Sequence, residues 1–331
     1  MAGALSGEPA AIPMWRSIPS DAIESELAAL WCAIGKETRI SRALMGNLIV
    51  LHPAAVSMKD ILDVARRHPV RIVLISAAKG KDTASGPAAA RVSIVPVGDP
   101  SNRFGAELIA IDAEYADVAM GSIVLTLARG DVPTTIWWAD DLSSDALPAA
   151  LFGQARQLVY DSALWQDVPA GMRRLAEVAR TCDRLDLADL NWRRLEPLRH
   201  AIVYAASQDA APLEELVEEN VRITFRTGSL AAALLLDGWL CCRLGWKTRS
   251  AGRVEEASDQ DAVLKITFRR AKWALEAAID ERGTRVVTTG TSVAATPVPV
   301  RSLAELIASE LRALGHDSCL RETIRVLAED R

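Results

Sequence analysis

Short apolar runs alternate with stretches of helical spacing through the first half of the chain. Asn47-Leu-Ile-Val-Leu51 is a strand-like run stopped by His52-Pro53. Residues 59–68 set Ile61, Leu62, Val64 and Ala65 on one side of a helix, Pro69 ends it, and 70–75 return as a second strand. Strand, helix, strand at this spacing predicts a βαβ unit, parallel and right-handed by default. Residues 79–90 are rich in Ala, Gly, Lys and Ser and read as a loop; 91–97 and 106–112 read as an antiparallel hairpin at the sheet edge, where Pro96 is tolerated. Helices follow at 115–129, 146–154 and 169–181, with strands at 134–138 and 157–160 between them. Upstream, 1–19 form an extended lead-in, and Ile23, Leu27, Leu30, Trp31 and Ile34 mark a helix that docks on the body; Lys36, Arg39 and Arg42 behind it read as its solvated end.

The second half has a different rhythm. Residues 192–206 read as a longer helix joining the halves, with Pro197 near its start. A strand at 221–225, a helix at 230–244 capped by Ser229, strands at 263–268, 273–279 and 284–289, and helices at 302–314 and 318–328 complete the chain. The expected architecture is α/β with two domains. Residues 1–45 form the lead-in and docking helix, 46–190 a mostly parallel sheet domain, and 191–331 a smaller α+β domain that begins with the bridging helix.

Composition fits this picture. A chain of 331 residues, half of them hydrophobic and 24% charged, is globular and long enough for two cores. A net charge of −5 argues against a nucleic-acid partner. Cys32, Cys182, Cys241, Cys242 and Cys319 show no metal-ligand spacing and read as reduced thiols, the adjacent pair as small buried residues on different helix faces. With no signal-like start and no apolar run beyond 230–236, the expected location is the cytoplasm, away from the membrane.

Candidate chemistry is sparse. His52, His68, His200 and His316 fall in no metal or nucleophile motif, although His68 at a helix end is where a cation is favoured. Asp161-Ser162 is no nucleophile elbow, and Lys-Gly-Lys within 79–81 is no phosphate loop, so neither metal, cofactor nor catalytic group is expected. Two stretches stand apart: Asp131-Val-Pro-Thr-Thr-Ile-Trp-Trp-Ala-Asp-Asp141, and Asp189-Leu-Asn-Trp-Arg-Arg-Leu-Glu-Pro-Leu-Arg199. In the first, strand alternation sends Trp137 and Trp138 to opposite faces, one into the core and one over a helix or outward. An outward Trp beside Asp140 and Asp141 has the composition of an interface anchor. In the second, Trp192 accompanies Arg193, Arg194 and Arg199, either as a solvated face or as a grip on phosphate or partner carboxylates. The first stretch, after the strand at 134–138, and Asp161-Ser162, after the strand at 157–160, sit where open α/β sheets bind ligands, at the carboxyl ends of strands.

Pro133-Thr-Thr-Ile-Trp-Trp-Ala-Asp-Asp141, Tyr160-Asp-Ser162, Asp189 through Arg199, and Leu234-Leu-Leu-Asp-Gly-Trp-Leu-Cys-Cys-Arg-Leu-Gly-Trp246 resemble, in that order, segments of the glucose-6-phosphate dehydrogenase assembly protein family, OpcA. Leu198 departs from the family, which carries Trp there, and beyond Arg249 the likeness is in outline. The resemblance implies a non-enzymatic protein that binds glucose-6-phosphate dehydrogenase, promotes its active oligomer by allosteric population shift, and supports the oxidative pentose phosphate pathway. Trp137, Trp138, Asp140, Asp141, Asp189, Trp192, Arg193, Arg194 and Arg199 are then the expected partner-binding residues. The alternative is an enzyme or sensor for a sugar phosphate or nucleotide, held by Arg193, Arg194 or Arg199 at the strand-end cleft.

Overall fold

The computed structural model describes residues 13–37, 40–77, 89–99, 102–113, 117–143, 149–208, 220–246, 253–257, 261–270, 273–280, 283–288, 300–313 and 315–329. The lead-in before residue 13 and the loop expected at 79–90 lie, wholly or for the most part, outside these ranges. The protein is α/β, built on a large mostly parallel sheet and a smaller second sheet.

The first sheet contains β1 (Arg16–Pro19), β2 (Asn47–Leu51), β3 (Arg71–Ala77), β4 (Ala89–Asp99), β5 (Asn102–Ala113), β6 (Thr134–Trp138), β7 (Gln157–Tyr160) and β8 (Asp186–Asp189), in the order β1-β4-β5-β3-β2-β6-β7-β8. From β5 to β8 all neighbours are parallel. β4 and β5 are the expected antiparallel hairpin. β1 pairs only with residues 89–92, so Pro96 sits on a stretch of β4 that β1 does not cover, and its missing N–H costs no ladder bond on that side.

Parallel strands are buried on both faces and read as continuous apolar runs, which is why β2, β6 and β7 could be located from composition. Alternate residues feed two cores. Leu48, Val50, Leu74, Trp137 and Val159 point into one, closed by α2 (Met58–Arg67) and α9 (Leu303–Ala313). Ile49, Leu51, Trp138, Leu158 and Tyr160 point into the other. That second core also takes in α5 (Val168–Thr181), α7 (Glu196–Gln208), α8 (Leu230–Leu244), α10 (Ser318–Glu329) and the inner face of the second sheet.

The second sheet has the order β10-β9-β11-β12-β13, from β9 (Val221–Phe225), β10 (Val254–Glu256), β11 (Leu264–Arg270), β12 (Trp273–Asp280) and β13 (Gly283–Thr288). Its strands alternate in burial, as in Val221, Ile223 and Phe225 inward against exposed Arg222. The docking helix, α1 (Ile23–Glu37), is fixed by Trp31, whose indole N–H donates 2.8 Å to buried Glu107, and by Glu24, which pairs with buried Arg71. His68 does close α2, but burial, then Arg312, lowers its pKa and so disfavours the cation there.

Candidate functional site

The chain order places the switch of the sheet between β2 and β6, since β3 lies on one side of β2 and β6 on the other. Ligands of open α/β sheets bind outside the carboxyl ends of strands at such a point. Here the left-handed His52 (φ 58°) turns the chain after β2, and its ring stands 5.0 Å from that of Trp138. Trp137 and Trp138 are 2% and 3% exposed. They do point to opposite faces, and both faces are covered, so the outward alternative for the second Trp, and with it the exposed interface anchor, is corrected. Asp140 is exposed; Asp141 is buried and accepts from the Ser143 and Gln166 N–H groups at 2.8 and 3.1 Å.

The segment after β7 joins the two motifs. Asp161 accepts a two-pronged salt bridge from Arg194, both contacts 2.7 Å, while Ser162 N–H donates 3.2 Å to Asp189. Asp189 ends β8 and caps α6 (Leu190–Arg194) through the Asn191 N–H at 2.8 Å. Its other oxygen is buried without a hydrogen bond. Burial, reinforced by the Asp161 charge, raises its pKa to about 7. Tyr160, paired in register with Asp189, has a buried hydroxyl without a partner and a pKa pushed well up, first by burial and then by Asp189. The indole N–H groups of Trp138 and Trp165 are likewise buried and unpaired, and Trp165 stacks on Tyr160 with 5.5 Å between ring centroids.

On α6 and α7, Trp192 is buried and donates 3.0 Å to Asp317, and Arg193 binds both Glu310 and Asp317. The Arg199 guanidinium carbon lies over the Trp192 ring, 3.4 Å from its centroid, and the side chain donates 2.8 Å to the Trp192 carbonyl. Burial lowers its pKa to about 10. The helix expected over 192–206 is broken at Leu195, because Pro197 has no N–H for the carbonyl four residues back.

Thus Asp161, Asp189, Trp192, Arg193, Arg194 and Arg199 share one neighbourhood, and Asp141 reaches it through Gln166. Asp140 stands apart at the surface. Glu310 and Asp317, which neutralise Arg193, were not singled out in the sequence: on an amphipathic helix and in a turn they look like ordinary surface acids. The fourth motif is also structural. Asp237 on α8 forms a buried pair with Arg253, 2.5 Å apart, and Gly238 lets α10 approach closely. Among the described residues no helix is long and apolar enough to cross a membrane.

Two family profiles match the chain. The glucose-6-phosphate dehydrogenase subunit N-terminal domain matches residues 62–177, and the C-terminal domain of the same subunit matches 185–324. "Putative OxPP cycle protein OpcA" of Nostoc punctiforme is 28% identical over 210 residues, covering 62% of this chain and 44% of that protein. The same-named protein of Synechococcus elongatus is 28% identical over 222 residues, covering 61% of this chain and 48% of that one. The chain therefore spans less than half the length of these curated relatives. A crystal structure of apo scyllo-inositol dehydrogenase from Lactobacillus casei aligns over 87% of this chain and 96% of that one, with a TM-score of 0.36 and 9% identity, too weak a likeness to support an inference. The two matched domains define a two-part relative of a dehydrogenase subunit. The chain belongs to the OpcA family of glucose-6-phosphate dehydrogenase assembly proteins.

Proposed function

We propose that this chain is a non-catalytic assembly factor of the cytoplasm that binds glucose-6-phosphate dehydrogenase, favours its active oligomer and so supports the oxidative pentose phosphate pathway. The observation that carries the reading is the match of both halves of the chain to the N- and C-terminal domains of one family. Activation follows from binding the active oligomer more tightly than the inactive form, which shifts the population by the difference in affinity. The electrostatics of the motif-bearing edge support it. Arg193 and Arg194 are already paired with carboxylates, so a sugar phosphate would have to displace Glu310, Asp317 or Asp161 to use them. On this reading Trp137, Trp138, Asp141, Asp189, Trp192 and Arg199 hold the edge rigid, and contact with a partner there falls to Asp140, Arg194 and the accessible part of Arg193.

The test is dehydrogenase kinetics and size-exclusion chromatography with and without the full chain. A rise in activity together with a shift to a larger assembly supports the reading. Unchanged activity and unchanged size would sink it.

A further inference from the structure

The amino ends of the parallel strands, opposite the motif-bearing edge, carry a groove of about 420 Å³. One wall is apolar: Val132, Pro133 and Leu125, the last 58% exposed on α3 (Asp117–Leu127). The rim is cationic, with Arg129, Arg156 and Arg184 among its lining residues. A second recess of about 210 Å³ continues it, sharing Arg129 and Val132.

Three features mark this as a built surface. First, buried Asn47 fixes the rim: its side chain accepts from the Arg129 N–H at 2.9 Å and donates to the Arg129 carbonyl at 3.0 Å and the Thr134 hydroxyl at 3.1 Å. A buried amide spent on an exposed turn pre-orders it, which lowers the entropy cost of binding. Second, the positive charge is poorly compensated. Arg184 is exposed and has no carboxylate partner among the described residues. Arg129 meets Asp131 only at 3.8 Å, with the arginine side chain half-buried and the aspartate 74% exposed, a contact that solvent screens. Arg156 leans on Asp186, a carboxylate shared with His316. Third, this rim is basic on a chain whose net charge is −5, so the charge is local.

We infer that this groove docks an acidic segment of the partner that carries an apolar side chain, the apolar group covering Leu125 and Pro133 while flanking carboxylates meet Arg129, Arg156 and Arg184. The partner is the dehydrogenase, so the inference rests on the proposed function and adds a second contact to the motif-bearing edge. A nucleic acid is disfavoured because its phosphates would leave the apolar wall uncovered and face the net negative charge of the rest of the chain.

The experiment is equilibrium and kinetic binding of purified glucose-6-phosphate dehydrogenase to the wild-type chain, Arg184→Glu, Leu125→Asp, the double variant and Arg180→Glu, at about 0.05 and about 0.3 M salt. Arg180, in the last turn of α5, is not among the residues that line this groove, and its side chain is 75% exposed, so it controls for charge reversal as such. Thermal melting of each variant confirms folding; both test positions are exposed, so wild-type melting is expected. The expected result is roughly a tenfold weaker Kd for each single groove variant and more for the double variant, chiefly through slower association, with a shallower salt dependence. Arg180→Glu stays within about twofold of wild type. If the wild type binds and the folded groove variants bind equally well, or Arg180→Glu loses as much as Arg184→Glu, the groove inference is overturned and the assembly reading stands. If the wild type does not bind, both fall.

Discussion

Asp189 is the residue on which the motif-bearing edge turns. Its folded-state pKa, about 7, lies above the value of a carboxyl in an unfolded chain, near 3.9. The native state therefore holds the proton more tightly, and stability falls as pH rises from about 4 to about 7, then levels off. Asp189→Asn keeps the oxygen that accepts from Ser162 and Asn191 and removes the ionisation. Urea melts at about pH 5 and pH 8 should show the variant gaining on wild type at the higher pH; an unchanged gap would contradict the raised pKa. Arg194→Ala strands the Asp161 carboxylate and should cost about 1–3 kcal/mol, discounted for the partial exposure of Arg194, read by the same melts. The paired tryptophans show how far single residues can be read. Strand alternation correctly separated Trp137 from Trp138, but whether the second face is open depends on helices far along the chain. The core around Trp137 is closed by α9, more than 160 residues later, and no local pattern announces that.

At the scale of elements, the α8–α10 contact makes the sharpest prediction. A Cβ on Gly238 would lie 2.9 Å from Leu327 Cγ and 3.0 Å from Thr323 Cγ2. Gly238→Ala should therefore cost about 1–3 kcal/mol by overpacking, despite the better helix propensity of Ala. Asp237→Ala should cost more, about 3–5 kcal/mol, because it leaves the Arg253 guanidinium, 1% exposed, without its buried carboxylate. Chemical denaturation ranks the two; a larger loss for Gly238→Ala would mean the ion pair is not what fixes α8. Most elements were legible: β6, β7, β9 and α8 fall where the apolar runs put them, although Ser229 precedes α8 without the expected side-chain capping bond. β8 was missed because Asp-Leu-Ala-Asp is short and bears two residues that strands avoid; it is a strand because β7 offers it a ladder. β1 and β10 were missed for the same reason, each short and placed by a neighbour distant in sequence.

Across the whole molecule, the last two helices tie the halves together. α9 packs on α2, and α10 packs on both α5 and α8. Glu310 and Asp317 reach back to Arg193 and Trp192, and Arg321 donates 2.7 Å to the carbonyls of Ala179 and Leu185. Removing residues 300–331 would take Leu306, Ile307, Leu320 and Ile324 out of the two cores and uncover the apolar faces of α2, α5 and α8 that α9 and α10 cover. The truncated chain should lose cooperative thermal melting and bind a hydrophobic dye; a sharp wild-type transition would show that the helices are accessories.

The sequence by itself determined the α/β class, the run of parallel strands, the position of most helices and, through the ordered motifs, the family. These are local or near-local properties: the period of apolar residues, the residues that end elements, and short strings of side chains. Only the tertiary structure decided that the tryptophans are internal, that Arg193 and Arg194 are already paired with carboxylates, and that a basic groove opens at the amino ends of the strands. Burial and charge pairing depend on what arrives from elsewhere in the chain. Glu310 and Asp317 sit over 110 residues from the arginine they neutralise, and Arg129, Arg156 and Arg184 meet only because adjacent parallel strands begin side by side.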